Sequence, residues 1–262
     1  MVPRLDRRIE RFPDLARASA ALARRLCGEA RKAVRSRGRF RWVISGGKTP
    51  LGLYRTLGGV YRDRFPWAET ELFFADERCV PPTDPDSNFG AAWATFLSRV
   101  PIPRARLHRM RGELRPPPEA AARYARSLGP AVRLADPGTP RFDVVLLGIG
   151  PDGHTASLFP GQPAVRERRR SVVAVRRGGL PPYVPRLTMT PLALSSAREA
   201  WFLVAGSDKA EAIAGIFRPG RERDPKFPAG VVRPAGPSRW FLDRAAASGL
   251  PAASGRRRDS PP

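Results

Sequence analysis

No stretch of this 262-residue chain approaches the roughly 18–20 consecutive apolar residues that span a bilayer, so no membrane segment is expected. The opening MVPRLDRRIERFPD lacks an apolar core followed by a small-residue cleavage site, which argues against export. Cysteine is nearly missing. Cys27 and Cys79 are too few for a disulfide framework, and the chain reads as cytoplasmic. Histidine is equally rare, and neither His108 nor His154 has cysteine or carboxylate neighbours at metal-ligand spacing, so no metal site is expected. Lysine is scarce too: Lys32, Lys48, Lys209 and Lys226 stand against 43 arginines. Acids number only 24, leaving a net charge of +23. Such a charge admits a nucleic-acid partner. However, the arginines are scattered, the tightest runs being RERRR at 166–170 and RRR at 256–258, and aromatics that would stack bases are not interleaved with them. Together with abundant Ala, Gly and Pro, this is the composition a GC-rich genome yields. It reads as a solvated basic surface that draws anionic metabolites, with no nucleic-acid partner expected.

The residues that are present alternate between strand and helix patterns. Residues 13–37 carry apolar positions at helical spacing, with Gly38 placed to end the helix. RFRWVI reads as a strand, SGGKTP as a loop and LGLYRTL as a helix. ELFFA is a second strand, DERCVPPTDPDSN a loop, and Ser87 or Asn88 a cap for FGAAWATFLSRV. EAAARYARSL looks helical, and FDVVLLGI is a near-continuous apolar run of the kind buried on both faces. SVVAV, AWFLVAG and SRWFLD are further strands, with SDKAEAIAGIF a helix. The length suits one large α/β domain or two small ones. Without a dividing linker, the expectation is a single-domain α/β fold over residues 1–246: a mostly parallel, Rossmann-like sheet with helices on both faces. Residues 247–262 read as a disordered basic tail.

Such sheets bind ligands beyond the carboxyl ends of their strands, and three loops there carry unusual chemistry. In SGGKTP, Gly46 and Gly47 let the backbone turn tightly and aim N–H groups outward, while Ser45 and Thr49 add hydroxyls; the following helix contributes its positive end. This is not a Walker A loop, because Lys48 directly follows the glycine pair. In DERCVPP, Arg78 has the shape to clamp a phosphate or carboxylate through two hydrogen bonds, beside Asp76 and Glu77; an ordinary surface ion pair is the alternative. GIGPDGH fits the glycine spacing of a dinucleotide loop. Yet Asp152 would lie against a pyrophosphate, and the acid that should bind the ribose is replaced by Arg176 and Arg177. His154 is the better centre: an imidazole near neutral pH serves as a base, and an adjacent carboxylate orients it. Lys209, opening a helix after a strand, and Arg186, in PRLTMTP, are weaker signals.

In order and at similar spacing, SGGKTP (45–50), DERCVPPTDPDSN (76–88), GIGPDGHTASLFP (148–160), PRLTMTP (185–191) and GSDKA (206–210) resemble the 6-phosphogluconolactonase family, over roughly residues 10–245. Glucosamine-6-phosphate deaminases share that fold, but typically read HIAFNEP after the shared DGH. This chain reads HTASLFP, without the acid, which favours the lactonase. The resemblance implies hydrolysis of 6-phospho-D-glucono-1,5-lactone to 6-phosphogluconate in the oxidative pentose phosphate pathway, without metal or nucleotide cofactor. It implies His154 as general base, Asp152 as its support, and phosphate on Ser45, Gly46, Gly47 and Thr49 with Arg78, Arg186 and Lys209. Asp76 and Gly150 are also expected to line the substrate, and backbone N–H groups near 150–154 to hold the oxyanion. A monomer is expected. The alternatives are a deaminase or sugar-phosphate isomerase with Asp76 as proton-transfer base, and a basic nucleic-acid-binding protein. Lys48 departs from the small residue the family commonly has there.

Overall fold

Runs such as FRWVI and VVLL, apolar at successive positions, can be satisfied only where both faces of a sheet are covered. A computed structural model describes residues 6–128, 142–220 and 224–251. Among these the elements follow in the order β1 (Arg7–Phe12), α1 (Leu15–Arg37), β2 (Phe40–Ile44), α2 (Leu51–Gly58), β3 (Thr70–Phe74), β4 (Asp76–Arg78), α3 (Asn88–Thr95), β5 (Leu107–His108), α4 (Pro117–Leu128), β6 (Val144–Leu147), β7 (Val172–Val175), β8 (Arg186–Met189), α5 (Pro191–Ser195), β9 (Glu199–Val204), α6 (Ala210–Phe217) and β10 (Ser238–Asp243). Seven strands form one sheet in the order β1-β10-β9-β6-β2-β3-β5, with every pair parallel. This is the expected α/β architecture.

Two expectations are corrected. SVVAV becomes β7, but it lies outside the large sheet, in a separate antiparallel sheet ordered β4-β8-β7. The segment DER is β4 of that small sheet rather than the start of a loop. Ala75 makes the transition: its N–H donates to Ile44 of β2, while its carbonyl accepts from Met189 of β8. β1 went unread because RRIERF has no apolar run; it is a charged edge strand whose backbone pairs with β10.

Helix α1 shows how local signals set an element. Asp14 caps it, accepting from the Arg17 N–H at 2.8 Å, and Gly38 ends it with an N–H bonded to the Val34 carbonyl. Its face of Ala18, Leu22, Ala23, Leu26, Ala30 and Ala33 is buried. The core holds Trp42, Trp67, Trp201 and Trp240, and Phe202 stacks on Trp240 with centroids 3.9 Å apart. Each fully buried large apolar side chain contributes about 1.5–3 kcal/mol. Just past the expected boundary at 246, Ala246–Gly249 form a 3-10 turn, with Ala247 buried. Residues 252–262, and with them the RRR run, lie outside the described residues.

The strand order reverses at β2. From there β3 and β5 lie to one side, and β6, β9 and β10 to the other. The loops leaving β2 and β6 therefore border a topological switch point, where parallel sheets of this kind bind ligands.

Candidate active site

Between β6 and Phe159 the chain folds back on itself. The Gly150 N–H donates to the His154 carbonyl at 2.9 Å, and the Gly153 N–H to the Gly150 carbonyl at 3.0 Å. Thr155 Oγ1 donates to the Gly148 carbonyl at 2.8 Å. The turn brings Asp152 Oδ1 to 2.6 Å from His154 Nδ1 and 3.1 Å from the His154 backbone N–H. Gly150 is needed for this, since a Cβ there would lie 2.0 Å from His154 Nδ1. Burial raises the Asp152 carboxyl, but the His154 ring and backbone N–H pull it down, and the net shift is below the ordinary aspartate value. With Nδ1–H given to this carboxylate, the lone pair falls on Nε2. Nε2 makes no hydrogen bond among the described residues, and the His154 side chain is 18% exposed. His108, by contrast, stacks on Phe73 with centroids 4.4 Å apart, and burial lowers its pKa.

The His154 ring packs on Phe159, with centroids 4.6 Å apart, and the Arg186 guanidinium lies 5.3 Å from the same Phe159 ring. In the β4–β8 register Arg186 stands directly opposite Arg78. Like charges so placed repel. Burial and Arg78 both lower the Arg186 pKa, and Asp76 opposes them. Arg186 Nη2 donates to the carbonyls of Leu180 and Pro182, and Arg78 Nη1 to that of Asp86. The Nε of each arginine is buried with no partner among the described residues. A buried donor left unmade costs about 1–3 kcal/mol, more when charged. An anion held by the two guanidiniums would offset their mutual repulsion.

Asp76 is buried at the junction of these parts. Its Oδ2 accepts from Ser157 Oγ at 2.6 Å, its Oδ1 from Asn88 Nδ2 at 3.3 Å, and its carbonyl from the same Nδ2 at 2.9 Å. Asn88 in turn reaches the SGGKTP turn. A Cβ on Gly46 would lie 1.8 Å from Asn88 Oδ1, so glycine is required by close approach. The N–H groups of Gly46, Gly47, Lys48 and Thr49 donate to no protein acceptor among the described residues. They form an open set of donors beside the switch point.

Three expected roles change. The Ser45 hydroxyl donates to the Leu146 carbonyl at 2.7 Å, tying β2 to β6, so its hydrogen is not available to a ligand. The N–H groups of Gly150, Gly153 and His154 are engaged within their own loop and do not form an oxyanion hole. Lys209 follows β9 at the same end of the sheet but pairs with Asp208 rather than joining the two arginines. Among the described residues no three His, Cys, Asp or Glu side chains cluster as a metal site. The sequence also left out Ser157 and the hold of the Asn88 side chain on Asp76. Ser157 lies inside the GIGPDGHTASLFP stretch, and Asn88 was read only as a helix cap.

The model of the glucosamine-6-phosphate isomerases/6-phosphogluconolactonase family matches residues 13–240. The chain belongs to this family. Within it, 6-phosphogluconolactonase from Streptomyces coelicolor is 40% identical over 237 residues, covering 88% of this chain and 90% of that protein. 6-Phosphogluconolactonase from Synechocystis is 37% identical over 251 residues, covering 95% and 99%. The crystal structure of 6-phosphogluconolactonase from Thermotoga maritima superposes with a TM-score of 0.77 at 29% identity, covering 90% of this chain and 99% of that one. As a member of the family, the chain places its histidine loop and its glycine turn on the two strands that flank the switch point.

Proposed function

We propose that this site hydrolyses 6-phospho-D-glucono-1,5-lactone to 6-phosphogluconate, the second step of the oxidative pentose phosphate pathway, with His154 as general base. The observation that carries the reading is the Asp152–His154 contact at 2.6 Å, on a ring whose neighbour Phe159 also packs against Arg186. Nε2 takes a proton from water as the water oxygen attacks C1 of the lactone. The tetrahedral intermediate then collapses, the C1–ring-oxygen bond breaks, and the imidazolium returns its proton to that oxygen as it becomes the C5 hydroxyl. The carboxylic acid so formed ionises in water. Asp152 holds the ring in the tautomer with Nε2 free and stabilises the imidazolium.

The phosphate sits on the open N–H groups of residues 46–49 and between the guanidiniums of Arg78 and Arg186. Lys209 adds a third charge when it exchanges Asp208 for the ligand. Asp76, held by Ser157 and Asn88, organises the wall between phosphate and base. This reading places the enzyme in the cytoplasm. Its two cysteines are unpaired, which suits a reducing compartment, and no helix among the described residues is long and apolar enough to cross a membrane.

The test is a coupled assay that reads 6-phosphogluconate formation above the spontaneous rate. Acceleration is expected. No acceleration, together with ammonia release from glucosamine 6-phosphate, would overturn the lactonase reading in favour of the deaminase.

A further inference from the structure

Strand geometry divides the three charges of DER. Successive side chains of β4 point to opposite faces, so Asp76 and Arg78, opposite Thr188 and Arg186, share the face of the anion site, while Glu77, opposite Leu187, is turned away. Glu77 is nonetheless only 2% exposed. Its Oε1 accepts from the N–H of Arg78 at 2.8 Å and of Asn88 at 2.7 Å; its Oε2 accepts from the N–H of Phe89 at 2.8 Å and from Ser87 Oγ at 3.2 Å. Four donors thus meet the four acceptor positions of one ionised carboxylate. The same segment carries the Asp86 carbonyl that receives Arg78 and the Asn88 amide that lies on Asp76.

We propose that Glu77 is the positioning residue of the phosphate site: its ionised carboxylate clamps the backbone of Arg78 to the first turn of α3, and so fixes where the Arg78 and Asn88 side chains stand. This rests on the reading of Arg78 and Arg186 as the phosphate grip. A proton on Oε1 would face an N–H donor, and one on Oε2 is accommodated only by turning the Ser87 hydroxyl from donor to acceptor, so in either case the four-donor clamp is broken. Burial, helped by the neighbouring Asp76, pushes the Glu77 carboxyl up to about 7 against the pull of the three backbone N–H groups. The other charged groups around it are Arg78 on β4, Asp84 and Asp86 on the following loop, Arg186 on β8, and Arg115, which donates to the Cys79 carbonyl. None supplies an acceptor for a Glu77 proton among the described residues. The clamp therefore closes as pH rises through that region, and substrate affinity rises with it.

Glu77→Gln tests this, because glutamine keeps the size but turns an NH2 toward donors. At about pH 8 its KM for the lactone is expected to rise about tenfold, with kcat within about threefold of the parent enzyme. Between about pH 6 and pH 8 the parent KM falls further than that of Glu77→Gln; the titration of the substrate phosphate is common to both and cancels. Asp14→Ala is the structural control: it removes the cap of α1 and touches no part of the clamp, so it should lower the melting temperature without moving KM. An unchanged KM and pH profile in folded Glu77→Gln overturns the proposal, and so does an Asp14→Ala variant that reproduces its KM. If Glu77→Gln does not fold, the unmodified protein decides. Its Arg78, Asn88 and Phe89 amide resonances should titrate with one midpoint near pH 7 without ligand, and separate or absent transitions overturn the clamp. A parent protein that neither binds 6-phosphogluconate nor hydrolyses the lactone at any pH overturns the functional reading instead, independently of the amide titration.

Discussion

His154 and Asp152 act as one unit, because the carboxylate that accepts Nδ1–H is what leaves Nε2 unprotonated. His154→Asn removes the base and should lower kcat by roughly 10²–10⁴-fold, with KM little changed. Asp152→Asn should approach the same loss, since an amide NH2 facing Nδ1 moves the ring proton to Nε2. Steady-state kinetics check both, and a variant at either position with near-normal kcat removes this pair from the mechanism. The Asp152 carboxyl lies below its ordinary value of 3.8, so its contribution to stability and to the lock is present above that pH and is lost as pH falls through the lower folded value. At this scale the sequence was informative. An aspartate and a histidine inside a glycine-rich turn already imply a short-range contact, because two residues of chain cannot carry them far apart. The internal bonds of the 150–154 N–H groups were not legible, since they depend on how that turn closes.

At the scale of elements, the site depends on how α3 abuts the glycine turn after β2. Gly46→Ala would put a Cβ 1.8 Å from Asn88 Oδ1 and 2.1 Å from Asn88 Cγ. Asn88 then has to leave Asp76, so KM should rise, and overpacking should cost about 1–3 kcal/mol of stability. Kinetics and thermal unfolding read the two effects; a variant with normal KM and unaltered stability would mean the contact is dispensable. Helix α1 and the apolar β2, β3, β6 and β9 could be read from the sequence because the helical spacing of 13–37, Gly38 and runs such as VVLL act locally, whereas the Asp14 cap was not read. β4 and β8 could not. Three polar residues in β4 and four mixed ones in β8 are too short a run to announce a strand, and these two exist because each supplies the other's hydrogen bonds.

Across the whole molecule, parallel strands with a reversal at β2 gather loops from distant parts of the chain at one end of the sheet. Two opposed arginines place like charges together at that end, where a bound anion would offset their repulsion. Binding of 6-phosphogluconate at about a hundred times its Kd should therefore raise the melting temperature by roughly 5–10 °C. Arg78→Ala and Arg186→Ala should each abolish most of the shift. Differential scanning calorimetry reads it, and an equal shift in parent and both variants would place the phosphate elsewhere. The net charge of +23 is otherwise spread over solvated arginines. In the 166–170 run, for example, Glu167 accepts from Arg169 and Arg170, and those hydrogen bonds lower its pKa to about 2.

The apolar strands and the helices between them, the end of α1 at Gly38 and the chemistry of the histidine loop follow from the chain alone, because each is set by neighbours within a few residues. The pairing of Arg78 with Arg186, the use of Ser45 as a brace rather than a ligand, and the suspension of Asp76 between Ser157 and Asn88 arise only on folding. They join segments far apart in sequence through one antiparallel register and one crevice, and no local pattern encodes which distant donor will meet which acceptor.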